Sequence, residues 1–253
     1  MLIHVTRLTQ YPVKGFTGAD LPRVQLVAGD HFPGDRMFAI ENGPSGFDPA
    51  APVHQPKFKF LVLMRMPALA RLTGRYDAAT NRFTLLQGDR EVAAGELTTS
   101  EGRKTIEDYL AATLAGELRG PPRILTAPPG FRFMDSQSGY ISILNLASLR
   151  AIAARAGRTI LAPERFRANI ITDGLPPWGE FDLIGKTIRI GDVTLRMIKR
   201  IDRCAATHVD PVRGIRDLDL VGLLEREFGH HDCGVYAEVV TGGLVSVGDR
   251  ILA

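Results

Sequence analysis

The sequence predicts a mostly β fold with some α structure (an α+β class), a β-barrel preceded by an N-terminal β-barrel module and carrying a few appended helices. Three observations lead there. Strand-like runs are short and are separated by Gly, Asp and Pro. Helical spacing shows in only three segments. The break Gly120-Pro121-Pro122 falls near the middle of the chain, so modules are expected over 1–119 and 120–253, with Pro128-Pro129-Gly130 as a second candidate boundary.

Strands are expected over 2–11, 23–27, 37–41, 82–86, 187–190 and 193–198. Gly-Asp pairs recur between strands, at Gly29-Asp30, Gly34-Asp35, Gly88-Asp89, Gly191-Asp192 and Gly248-Asp249. They favour turns because Gly tolerates positive φ and Asp bonds back to the backbone. The first helix is read over 104–118, where Ile106, Tyr109, Leu110, Thr113 and Leu114 recur at helical spacing. The second, over 145–156, has Asn145 as N-cap before Leu146, Leu149, Ile152 and Ala153. The third, over 218–228, gathers Leu220, Val221, Leu223, Leu224 and Phe228 on one broad face, with Asp217 as its cap. Residues 42–59, rich in Pro and Gly, read as a long loop on the ligand-facing side of the first module.

Composition narrows the function. The formal net charge is only +3, and the 31 Lys and Arg are spread along the chain against 28 acids, so no dense basic block suggests nucleic acid. A small anionic ligand or an acidic partner protein suits this balance better. No apolar run is long enough to span a membrane, and the start of the chain lacks a signal peptide's charged opening and cleavage site, so a cytoplasmic location is expected. Two cysteines, Cys204 and Cys233, are too few for an iron–sulfur cluster of the usual four-thiolate type, and a reducing compartment favours free thiols over a lone disulfide. A Gly-x-Ser-x-Gly elbow, a Gly-x-Gly-x-x-Gly turn and a P-loop are all missing.

Cys204 stands at the end of a strand-like run, flanked by Arg200 and Arg203, and nearby cations favour a thiolate. Because neighbours in a regular strand point to opposite faces, Arg203 and Cys204 share a pocket only if the strand has ended before them. From the residues alone Cys204 reads equally as a small buried hydrophobe. A looser alternative groups Cys204, His208, His230, His231 and Cys233 as a zinc set. Anion-binding candidates are scattered. Lys14 follows a strand end, Gly15 permits close approach to the backbone, Arg36 follows the Gly34-Asp35 turn, and Arg165-Phe166-Arg167-Ala168-Asn169 brings two guanidiniums and an amide. Each Arg also reads as a solvated or ion-paired surface residue.

As a set these pieces resemble the MOSC family, named for the C-terminal domain of molybdenum cofactor sulfurases. Tyr11-Pro12-Val13-Lys14 and Gly34-Asp35-Arg36 look like the opening of a MOSC N-terminal β-barrel domain. The Arg165–Asn169 run, Asp202-Arg203-Cys204, Val209-Asp210-Pro211 with Gly214, and Gly248-Asp249 look like the MOSC β-barrel itself. Within the family the chain is most similar to the mitochondrial amidoxime-reducing component and its bacterial counterparts, which reduce N-hydroxylated compounds. The resemblance implies a pterin-based molybdenum cofactor (Mo-molybdopterin) with Cys204 as the metal's thiolate. It implies that Lys14, Arg36 and Arg167 meet the phosphate and pterin, with Gly15 and Asp202 in the same motifs. Asn169, Arg203, Tyr236 and either Asn145 or Ser148 match positions lining that site. Three departures stand out: Gly15 where the family usually has Ser, Phe38 where it favours Trp, and Ala168 where it has Pro. The implied activity is reduction of a small N-hydroxylated or N-oxide substrate, with electrons from a separate ferredoxin- or cytochrome-type protein and its reductase. The alternative is a cofactor carrier or sulfur-transfer module bearing a persulfide on Cys204, with sulfur delivered by a partner because the chain is too short for a desulfurase domain.

Overall fold

A computed structural model describes residues 2–136 and 141–252. Among them strands dominate and three α-helices occur. An eight-stranded sheet runs, edge to edge, through Ile251–Leu252, Thr187–Ile190, Val193–Asp202, Asp232–Thr241, Ile141–Asn145, Ile170–Asp173, His4–Gln10 and Ala19–Leu21. The N-terminal strands are thus built into a sheet made mostly by the C-terminal half. The sheet curls until its edges approach. Ile251 N donates to Ile3 O at 2.8 Å, and Val5 N donates to Asp249 O at 2.9 Å. Inside the curl Leu8, Ile143, Ile170, Leu195, Met197 and Val235 form one core. Alternation makes this inevitable: Thr187–Ile190 buries every second residue and leaves the others to water.

Most pairings in this sheet are antiparallel, but Ile141–Asn145 and Ile170–Asp173 lie parallel. A parallel pair needs a crossover, and helix α2 (Leu146–Arg155) provides it. Asn145 caps α2 by accepting from Ala147 N, as expected from the sequence. A second core lies under the meander Leu72–Asp77, Arg82–Gln87 and Arg90–Glu96. Helix α1 (Ser100–Thr113) crosses that meander and inserts Ile106 and Leu110. It starts earlier than its apolar spacing indicates because Thr99 accepts from Gly102 N at 3.0 Å. Its contact with the sheet is very close: a Cβ on Gly95 would fall 2.1 Å from Gly102 O.

Helix α3 (Leu220–Phe228) is capped by Asp219 rather than Asp217. Asp217 has a different task, pairing with Arg158 at 2.6 Å and Arg165 at 2.8 Å. The strand expected over 193–198 continues to Asp202, since its pairing with Asp232–Thr241 persists to that residue. Among the described residues no helix is long and apolar enough to cross a membrane.

Candidate functional site

A pocket of about 150 Å³ is lined by both halves of the chain. Lys14, Gly15, Arg36 and Lys57 come from the N-terminal half; Arg167, Asp202, Arg203, Cys204 and Tyr236 come from the C-terminal half. The chain reaches it from the sheet's end. After the strand His4–Gln10, Tyr11 N donates to Asp35 Oδ1 at 2.7 Å and Arg36 N donates to Tyr11 O at 2.7 Å. These bonds lash the Tyr11–Lys14 segment to the Gly34-Asp35-Arg36 turn. Gly15 is required sterically: its φ is +87°, and a Cβ there would lie 2.4 Å from Leu61 O. A Ser at this position would clash, so the departure at Gly15 has a local cause.

On the opposite wall the long strand stops at Asp202. Arg203 and Cys204 lie beyond it, free of the strand's alternation, and both face the pocket. Cys204 starts a short 3-10 turn, Ala205–His208, and its carbonyl accepts from Thr207 N at 3.0 Å and Thr207 Oγ1 at 2.9 Å. The thiol is partly exposed and unbridged, whereas Cys233 is buried. Arg200 is not beside it. That guanidinium lies 4.3 Å over the Phe181 ring and 3.8 Å from Asp232. The cation at Cys204 is Lys57, which lines the same pocket; burial opposes its charge, but the nearby Cys204 and Asp135 outweigh that and raise its pKa.

The pocket's electrostatics are lopsided. Lys14, Arg36, Lys57, Arg165, Arg167 and Arg203 line it against only Asp135 and Asp202. Some of this charge is compensated: Arg36 pairs with Asp35, Lys14 with Asp135, and Arg165 with Asp217. Among the described residues Arg167 has no carboxylate within ion-pair distance. Its guanidinium and that of Arg36 both pack over the Tyr11 ring, at 4.4 and 4.7 Å. Burial, and then repulsion from Arg36, push the Arg167 pKa down to about 10. Burial also lowers Lys14 in spite of Asp135. Arg36 and Arg167 have positive φ, +46° and +53°, uncommon for residues with side chains and a form of strain that collects at functional sites.

Three donors here are unspent, and one is Arg165 Nε, buried and without a partner among the described residues. Arg203 gives Nε to Cys233 O at 2.7 Å and Nη1 to Phe166 O at 3.0 Å, but its buried Nη2 has no partner. Arg167 gives Nη1 to Phe16 O, and its Nη2 is likewise buried and unpartnered. Buried donors without partners are rare in folded proteins.

Three of the sequence candidates stand outside this lining. Asn169 lies just beneath, its Oδ1 accepting from Ser142 N at 3.2 Å and Ser142 Oγ at 2.8 Å, and Ser142 itself lines the pocket. Asn145 and Ser148 point elsewhere, to the buried carboxylate of Glu180 at 3.0 and 2.9 Å. Their amide and hydroxyl are consumed there. The zinc set does not assemble either: the described residues contain no group of three or more His, Cys, Asp or Glu side chains placed to share a metal. His208 Nε2 instead accepts from Val221 N at 3.3 Å, and His231 pairs with Glu225 at 2.9 Å. Lys57, Asp135 and Tyr11 were missed by sequence reasoning. Lys57 opens a short 3-10 turn, Lys57–Lys59, at the end of the stretch read as a ligand-facing loop and has no motif of its own, whereas Tyr11, inside the Tyr11–Lys14 run, carried a signal.

Comparison with known proteins matches the MOSC domain family to residues 131–252 and the MOSC N-terminal beta barrel domain family to residues 2–118. No curated protein matched the chain. Among solved structures, the YUAD protein from Bacillus subtilis is similar at 15% identity and TM-score 0.47, over 99% of this chain and 94% of that one. YiiM from Escherichia coli is similar at 19% identity and TM-score 0.32, over 44% of this chain and 52% of that one. YiiM from Geobacillus stearothermophilus gives 16% identity and TM-score 0.33, over 44% and 52%.

Proposed function

We propose, since the chain belongs to the MOSC-domain family and carries both of its modules, that it binds a pterin-based molybdenum cofactor and reduces small N-hydroxylated or N-oxide compounds. One observation carries this reading: Arg167 Nη2 and Arg203 Nη2 are buried donors without partners in a pocket that also presents a free thiol. A buried donor left unmade costs about 1–3 kcal/mol. A ligand with phosphate oxygens and a fused polar ring offsets that cost, because the planar guanidinium fork matches both.

In this reading Lys14, Arg36 and Arg167 hold the phosphate and pterin, and the Gly15 backbone lies against them. Arg203 and Tyr236 flank the metal end, and Cys204 supplies the soft thiolate that suits a sulfur-ligated metal. Bound there, the cofactor supplies two-electron oxygen-atom chemistry. The chain's own work is to neutralise the ligand's charge, fix its orientation and keep Cys204 beside the Lys57 cation. Electrons come from a separate ferredoxin- or cytochrome-type protein with its own reductase, and the cationic pocket suits an acidic partner. Two unbridged cysteines fit a cytoplasmic location.

Metal analysis of freshly purified protein tests the reading. One molybdenum per chain is expected, with Cys204→Ser losing both the metal and reduction of an N-hydroxylated substrate by an artificial donor while remaining folded. Metal-loaded protein that reduces no such substrate with any donor would refute the oxidoreductase assignment. A second reading, sulfur transfer through a persulfide, draws on the partial exposure of Cys204. Mass spectrometry distinguishes it by one extra sulfur on Cys204 in metal-free protein.

A further inference from the structure

We propose that a second, smaller anion site lies beside the main pocket, built by His31, His54 and Arg132, and that its ligand is a single phosphate-class oxyanion. The cavity measures about 70 Å³ and adjoins the main pocket through Met134, which lines both. No acidic residue is among those lining it. Two polar atoms of its lining residues, His54 Nε2 and Arg132 Nε, are buried and have no hydrogen-bond partner among the described residues. This is the same signature that marks the main pocket, yet none of Lys14, Arg36, Arg167 or Arg203 contributes here.

The surroundings fix these groups in place. Arg132 Nη1 donates to Phe131 O at 2.6 Å. The nearby carboxylate of Asp30 is occupied by His31, accepting from its backbone N at 2.7 Å and lying 3.2 Å from its Nδ1. Phe131 packs against Phe47 and Phe133 with centroids 5.2 and 5.4 Å apart, giving the cavity one apolar wall. A cavity of this size holds a few waters and equally one tetrahedral anion. An arginine with imidazoles on the other walls and no carboxylate among the described lining residues favours the anion. The site is also linked to its neighbour: beyond Arg132, the same segment uses Phe133 O and Asp135 to hold Lys14.

The test is a titration of the purified chain with inorganic phosphate at constant ionic strength and pH, following histidine ring signals by NMR. The His31 and His54 signals are expected to shift saturably while His4 and His208 do not. Arg132→Gln is expected to weaken the titration roughly tenfold or more, since it removes a charge-assisted contact. Arg167→Asn, in the main pocket, is expected to leave it unchanged. Failure of the His31 and His54 signals to saturate overturns the proposal, and so does wild-type behaviour of Arg132→Gln. Loss of the response in Arg167→Asn overturns it too, by placing the phosphate in the main pocket. Should Arg132→Gln not fold, His54→Ala decides: the His31 signal must then lose its saturable shift.

Discussion

Two buried polar clusters, one around Glu180 and one around Arg203 and Arg167, are built to opposite specifications. On one side Glu180, only 1% exposed, accepts from Asn145 Nδ2 at 3.0 Å and from Ser148 Oγ at 2.9 Å. Ser148 Oγ in turn accepts from Trp178 N at 2.9 Å, and Asn145 Nδ2 also reaches Pro176 O at 2.8 Å. None of these side chains is left with a buried unpartnered atom. On the other side, Arg203 docks on Cys233 O and leaves a nitrogen unpaired, as does Arg167. Polarity buried to hold a fold is closed on itself, because an unpaired group in low dielectric costs more than the pair gains. Polarity buried to hold a ligand is left open, at some cost to the empty protein. This contrast separates Asn145 and Ser148 from the ligand residues that the family resemblance grouped them with.

The largest test of that contrast is Glu180→Ala. It strands the Asn145 amide and the Ser148 hydroxyl at once, and should lower unfolding stability by about 3 kcal/mol or more. Urea denaturation with an unchanged slope checks it; a loss below about 1 kcal/mol would mean that the cluster is not the closed structural unit described. Next comes Arg167→Asn. Asn tolerates the left-handed backbone at this position, and the change removes an uncompensated buried cation. Ligand-free protein should gain up to about 1 kcal/mol, while retained molybdenum after dialysis should fall roughly tenfold or more. A clear destabilisation would show that Arg167 serves the fold after all.

The smallest effect is a pH dependence. Burial raises the Glu180 pKa in the folded state above its usual range. Its contribution to stability is therefore full below the unfolded-state value, about 4.3, and is lost as pH rises through the raised folded-state value. Comparing the pH–stability curves of the wild type and Glu180→Gln should remove that decline. Identical curves would mean that Glu180 titrates as it does in the unfolded chain.

Much of the fold was legible because it rests on local rules. Asn145 as a cap, the Gly-Asp turns and the strand Thr187–Ile190 follow from short-range chemistry. Boundaries drifted where a neighbour decided them: Thr99 extends α1, and pairing with Asp232–Thr241 carries the long strand to Asp202. In the site, Lys14, Arg36, Arg167, Arg203, Cys204 and Tyr236 could be nominated from motifs, and the pocket collects them. Lys57 could not, since a lysine outside any motif has no spacing to read. Arg200 was misjudged because nearness in sequence to Cys204 is not nearness in space once the strand turns it toward Phe181.

By itself, then, the sequence determined a two-module β protein of the MOSC family and the residue types its ligand would need. The strands and turns follow from periodicity and turn chemistry, and the family with its ligand residues from the resemblance of motifs in order along the chain. Only the tertiary structure decided which cations lack a counter-charge, that Asn145 and Ser148 serve Glu180, and that His31, His54 and Arg132 converge on a cavity of their own. The physical reason is that charge compensation and hydrogen-bond satisfaction depend on distance and desolvation, and both come into being only when segments far apart in sequence are packed together.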